Sequence, residues 1–175
     1  AMLANSSVTV NGTSIALGAS GTISTGITMA DQWRLTTDFT GDAAPISSNL
    51  EQIDNTGQGT LGSAMTESSG IFTFPSTGIY LVRYIIMIYG SVGGDGDIRF
   101  NINRTINNSD FEQLTRGFID VDSVENTTAM IESFVDVTDT SNVKVRFDVG
   151  NNVNLVRGST SQNQTTMTFI RLGDT

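Results

Sequence analysis

Residues 70–90, GIFTFPSTGIYLVRYIIMIYG, constrain the fold of this chain more than any other segment. A short strand reaches a turn at residues 75–78, and a long strand then runs to Tyr89. Both faces of the long strand are apolar. One carries Tyr80, Val82, Tyr84, Ile86 and Ile88. The other carries Ile79, Leu81, Arg83, Ile85, Met87 and Tyr89. A sheet that packs on a core and shows its back to water needs only one apolar face. Two such faces, in a chain otherwise full of Asn, Ser, Thr and Gly, imply that one packs on the domain's own core and the other on a partner subunit. The second face is therefore the expected subunit interface. Arg83 is its only charge, and a buried arginine needs a carboxylate or several carbonyls. The alternative is a guanidinium that snorkels to the sheet edge.

The composition narrows the chemistry. There is no cysteine and no histidine. Disulfides, thiol nucleophiles, imidazole bases and imidazole metal ligands are all excluded. Nine basic residues against eighteen acidic ones give a formal charge of -9. Such a surface repels phosphate backbones and anionic lipid, and no Lys/Arg cluster opposes it. Nucleic acid is not an expected partner. Membrane insertion is not expected either, because the longest apolar run, residues 85–88, is only strand-sized. Residues 1–28 hold no basic region followed by a hydrophobic one, so no secretory signal is read there.

Residues 1–28 differ from the rest. They hold no aromatic residue, and short β triplets at 8–10, 14–17 and 22–24 alternate with glycine turns. Asn11-Gly12 favours a tight primed turn. One copy has too little apolar surface to fold alone. Either it is a loose leader or, as expected here, it is a β-rich stalk or anchoring segment whose copies pair with one another or with another protein. The main domain is expected over residues 29–175. Strand candidates lie at 33–39, 46–53, 71–74, 79–89, 97–106, 111–121, 129–137, 143–149 and 165–172. In the fifth of these Ile98, Phe100, Ile102 and Ile106 should face in. No segment has a helical period, and short strands at regular spacing point to an all-β sandwich or jelly roll.

The run Phe72-Thr73-Phe74-Pro75-Ser76-Thr77-Gly78-Ile79-Tyr80-Leu81-Val82 resembles the central signature of the C1q/TNF-like jelly rolls. There an aromatic strand, a Pro-containing turn and Gly-x-Tyr lead into the long inner strand. The end of the chain, residues 165–172, has the pattern of that family's last strand. Residues 8–24 resemble segments that precede head domains in fibre proteins of tailed bacteriophages, marine ones especially. The resemblance implies about ten antiparallel strands in two sheets, a homotrimer, and a non-catalytic head that binds through loops and intersubunit grooves. It places the chain on a virion surface, as a tail fibre or capsid projection, with residues 1–28 attached to other virion proteins. A non-viral lectin-like or protein-binding module and a pure capsid decoration protein are the alternatives.

Two further sites follow. Asp95 and Asp97 sit among glycines, and calcium gathers about six to eight oxygens from loops of this kind. Some C1q-like proteins bind calcium near the threefold axis. The bland alternative is a solvated Gly-Asp turn. The loops holding Ser91 and Asn107, Asn108 and Asp110 offer polar groups suited to a host cell-surface glycan or protein. Trp33, Tyr89 and Phe111 are aromatic residues near strand ends that can stack on sugar rings. No pair of acids has a spacing that selects it for hydrolysis, so no catalytic residue is expected.

Overall fold

The computed structural model describes residues 6–10, 13–21, 26–92, 97–121, 124–150 and 153–175. Every regular element among them is a strand. In order these are β1 (Ser7–Val10), β2 (Thr13–Ala16), β3 (Met29–Leu35), β4 (Phe39–Thr40), β5 (Leu50–Gln52), β6 (Thr66–Ser68), β7 (Ile71–Thr73) and β8 (Gly78–Tyr89). They continue with β9 (Ile98–Thr105), β10 (Glu112–Ile119), β11 (Asn126–Val137), β12 (Lys144–Gly150), β13 (Leu155–Val156) and β14 (Thr166–Gly173). No helix among the described residues is long and apolar enough to cross a membrane.

The strands form two stacked antiparallel sheets and a separate hairpin. The first sheet runs β4-β13-β8-β14-β3-β5, and β11 also pairs with β8. Strands β13 and β14 share one edge of β8, at Ile88–Tyr89 and at residues 79–85, so β11 takes the other edge along its whole length. The second sheet runs β10-β9-β12-β7-β6. Consecutive strands repeatedly change sheet, as a jelly roll requires.

The period-two pattern decides what lies between the sheets. Tyr80, Val82, Tyr84, Ile86 and Ile88 are fully buried there, with Met167 and Phe169 from β14. The second sheet contributes Phe72, Phe100, Ile102, Val145 and Phe147. Phe147 is in ring contact with Phe72 at 5.5 Å, Tyr84 at 5.2 Å and Phe169 at 5.9 Å between centroids. Such aromatic pairs add about 0.5–1.5 kcal/mol each beyond their area burial. Gly117 lets the sheets close at one edge. A Cβ there would lie 2.4 Å from Cζ of Phe100 and 2.9 Å from Ile131 of β11.

The expected long strand, its preceding turn and the last strand beside it are all present. Other boundaries differ. The first strand of the domain begins at Met29 and ends at Leu35 rather than spanning 33–39. Phe39 and Thr40 instead pair with β13. Of residues 46–53 only Leu50–Gln52 form a strand, because Asn49 adopts a φ of 57° and breaks the run. Strand β9 ends at Thr105, and Ile106, expected to face in, is 59% exposed. The turn that follows begins at Ile106, so the alternation no longer governs it.

Strands β1 and β2 pair only with each other among the described residues. Val10 stands opposite Thr13, and the turn expected at Asn11-Gly12 falls outside the described residues. The triplet at 22–24 lies outside them too. Val8, Leu17 and Ile27 remain exposed.

Candidate functional site

The outward face of the first sheet is built from three strands in register. Leu81 stands between Phe134 of β11 and Ile170 of β14. Two residues along, Arg83 stands between Glu132 and Thr168. Two further on, Ile85 stands between Met130 and Thr166. A polar row thus crosses the face between two largely apolar rows. Glu132 Oε2 accepts from Arg83 Nε at 3.0 Å and Nη2 at 2.9 Å. Gln32 of β3 extends the row by donating to Thr168 Oγ1 at 2.8 Å. Ile79, Leu81, Ile85, Met87 and Tyr89 are half-buried within the single chain. Phe134 is 68% exposed and Met130 53%. The sequence reading placed the β8 residues on this face but did not single out Phe134 or Met130. Their alternation with Thr, Glu and Ser concealed an apolar pair that shows only once β11 lies beside β8.

The outward face of the second sheet is polar and concave. Rows of three cross it from β10 through β9 to β12. Gln113, Asn103 and Arg146 form one, Arg116, Asn101 and Asp148 the next, and Phe118, Arg99 and Gly150 the third. All of these but Arg146 and Phe118, together with Asp42, line a hollow of about 340 Å³. An adjoining hollow of about 270 Å³ shares Asp42, Arg99 and Gly150 with it and reaches Phe118 and Asp97. In the first hollow Asp148 Oδ2 accepts from Asn103 Nδ2 at 2.7 Å and from Arg146 Nη2 at 3.2 Å. Asp148 Oδ1 is buried with no hydrogen-bond partner. Burial pushes the Asp148 carboxyl above its ordinary range, while Arg146 and the Asn103 amide pull the other way. Arg116 Nε donates to Asn101 Oδ1 at 3.1 Å.

The loop residues are not brought together. Ser91 lies just after β8 and Asn107 just after β9, whose eight extended residues span about 25 Å. Ser91 is tied down, its N–H donating to Asn154 Oδ1 and its hydroxyl to the Val153 carbonyl. Asn107 Oδ1 accepts from the N–H groups of Ser109 and Asp110, and its amide donates to Asp110 Oδ2 at 2.8 Å. Asn108 has a φ of 61° and donates its N–H to the Asn142 carbonyl. These groups shape their own turns.

Asp95 lies outside the described residues. Asp97 is exposed and shares its hollow with Arg99, whose charge opposes a cation there. Among the described residues no group of three or more acids could hold a metal ion. Of the aromatics, Trp33 serves the core. It meets Phe72 edge-on at 5.5 Å and donates its indole N–H to Asp31. Phe111 lies under Arg146, at 4.7 Å.

No protein-family model matches the chain, and no curated protein matches it in sequence. Solved structures do. The crystal structure of murine APRIL at pH 5.0 is similar with a TM-score of 0.62 and 13% identity, over 82% of this chain and 98% of that one. Eiger TNF from S. frugiperda is similar with a TM-score of 0.63 and 15% identity, over 85% and 95%. At such identities the likeness concerns fold, and the fold of this chain is a TNF-like jelly-roll β-sandwich.

Proposed function

We propose that this chain is the head domain of a homotrimeric, non-enzymatic surface protein that works by recognition outside a cell. One observation carries the reading. The outward face of β11, β8 and β14 keeps Phe134, Met130, Leu81, Ile85 and Ile170 at the surface of the single chain. An apolar face of this kind marks an interaction surface. A second copy is the occupant implied by the resemblance to C1q/TNF-like heads. Burying that face against two copies of itself leaves the polar second sheet and the loops facing outward.

Within this reading the chain is a fibre head or projection on a virion surface, and residues 1–28 join it to other virion proteins. The β1–β2 hairpin supports an anchoring role, because its apolar side chains find no cover on the domain. The viral setting rests on the resemblance of residues 8–24 to segments that precede phage fibre heads. The alternative, a non-viral protein-binding module with the same trimer, draws support from the fold likeness to murine APRIL.

Purified trimer added to susceptible bacteria should bind them and reduce adsorption of the parent particle. Full adsorption by particles that lack the head but assemble normally would rule out host recognition. Absence of the chain from any purified particle would rule out the viral setting and favour the alternative.

A further inference from the structure

We propose that the polar hollow on β9, β10 and β12, together with an apolar hollow beside it, binds an uncharged oligosaccharide. The inference deepens the recognition reading given above and rests on it for its biological setting. Every residue of the site comes from one subunit.

The floor is unusual for a sheet face turned away from the core. Such a face is normally open to water, yet Asn101 is 9% exposed, Asn103 6% and Asp148 9%. Two of these recessed side chains are carboxamides, and their partners fix which way round they sit. Asn101 Oδ1 accepts from Arg116 Nε, so its Nδ2 is the end left over. Asn103 Nδ2 donates to Asp148 Oδ2, so its Oδ1 is left over. Neither leftover atom has a partner among the described residues, and neither is sealed from solvent as Asp148 Oδ1 is. Gln113 adds a third carboxamide, exposed at the rim. The hollow thus presents a free donor and a free acceptor two residues apart on β9, a spacing of about 7 Å.

The charges argue against an ionic ligand. Asp42 and Asp148 line the same hollow as Arg99 and Arg116, two groups of each sign. Three of the four are already engaged. Asp148 holds Asn103 and Arg146. Asp42 has a partner of its own. Arg116 bonds Asn101, and its guanidinium lies over the Phe118 ring at 5.9 Å from the centroid. An anion entering here meets two carboxylates, and a cation meets two guanidinium groups. A hydroxyl both donates and accepts, so a sugar answers Asn101 and Asn103 without bringing charge. A peptide main chain also carries both groups, but it is read by the open edge of a sheet. Strand β9 has β10 on one side and β12 on the other, so side chains alone meet the ligand.

The second hollow sets the length of that ligand. It holds about 320 Å³ and shares Asp42 and Ala44 with the first. Phe39, Ala43 and Pro45 also line it, and they offer apolar surface to the C–H face of a further ring. Polar groups in one hollow and apolar groups in the next suit a chain of sugars that passes over Asp42 and Ala44.

The test titrates the full chain with maltotriose, cellotriose and mannotriose, followed by backbone amide shifts and calorimetry. At least one trisaccharide should move the amides of β9, β10 and β12 together with those of Ala43 and Ala44. Trigalacturonate, inorganic sulfate and N-acetyl-trialanine amide should each bind at least about tenfold more weakly. Asn101→Leu and Gln113→Leu should each weaken the trisaccharide about tenfold or more. Gln113 is exposed, so its variant reads the site with the fold intact, and a thermal transition checks the other. Sulfate or trigalacturonate binding as tightly would overturn the proposal in favour of an anion site, and the capped peptide binding as tightly would overturn it in favour of a peptide site. So would unchanged affinity in both variants, or no response to any of the three trisaccharides at about 10 mM. Cell binding by a trimer that ignores all three would sink this site alone. Trisaccharide binding by a protein that ignores cells would sink the recognition reading alone.

Discussion

Arg83 and Glu132 face each other across β8 and β11, and a single carboxylate oxygen, Glu132 Oε2, takes both guanidinium hydrogen bonds. The pair is partly exposed in one subunit, and an isolated exposed pair is worth about 0–1 kcal/mol. It lies between the Leu81 and Ile85 rows, so an assembly through this face would bury it.

That difference is measurable. Glu132→Ala should destabilise the assembly by about 3–5 kcal/mol, since it leaves a buried guanidinium without its partner. Arg83→Leu combined with Glu132→Leu should be far milder or stabilising. A double-mutant cycle on the thermal transition gives the comparison. A cost for Glu132→Ala below about 1 kcal/mol would mean that the pair stays in water.

Tyr84 is buried between Phe100 and Phe147, and its hydroxyl has no hydrogen-bond partner. Burial pushes its ionisation far above the ordinary tyrosine range, and the charge of Asp148 adds to this. Tyr84→Phe removes a buried group that gains nothing, so stability should stay level or rise by about 1 kcal/mol. Above about pH 10 the unfolded chain releases this proton and the folded chain keeps it, so stability falls as pH rises. In a spectrophotometric titration Tyr84 should ionise only with unfolding. A loss above about 1 kcal/mol in Tyr84→Phe urea melts would reveal a hydrogen bond to this hydroxyl.

Asp148 and Asp139 should pull the acid stability profile in opposite directions. Burial raises the Asp148 carboxyl above its ordinary 3.8, with Arg146 and Asn103 opposing. The folded state therefore holds that proton longer, and the associated stability declines as pH rises through the window above 3.8. Asp139 is lowered by the Ser141 hydroxyl, the Ser141 N–H and the Asn142 groups. Its contribution is present above 3.8 and is lost as pH falls through its folded value. Urea midpoints measured between about pH 2.5 and 6 should lose the downward component with rising pH in Asp148→Asn and the acid loss in Asp139→Asn. An unchanged profile in Asp148→Asn would contradict the buried placement of this carboxyl.

What was legible in the sequence follows from period and turns. Residues 79–89 alternate without interruption, so both faces of β8 could be assigned before any neighbour was known. The pairing of the last strand with β8 was read from resemblance and is present. Buried charge was harder to place. Arg83 stood out because its sequence neighbours are apolar, yet the arginine that is buried, at 1% exposure, is Arg34. Its partners Glu51 and Asp54 lie about twenty residues away and reach it only because β5 pairs with β3. The polar trough was illegible for the same reason. Arg99, Arg116 and Asp148 come from three strands, each reading as an ordinary solvent-facing residue until the register aligns them.

The mass of the native protein at micromolar concentration tests the central claim most directly. Sedimentation equilibrium should give a single species at three times the 18.7 kDa chain mass. Ile85→Asp, which would bury an unpaired carboxylate at a cost of several kcal/mol, should reduce it to one. A monomer of the unmodified protein under the same conditions would contradict the account, because the face formed by Leu81, Ile85, Met130 and Phe134 would then have no partner in its own kind.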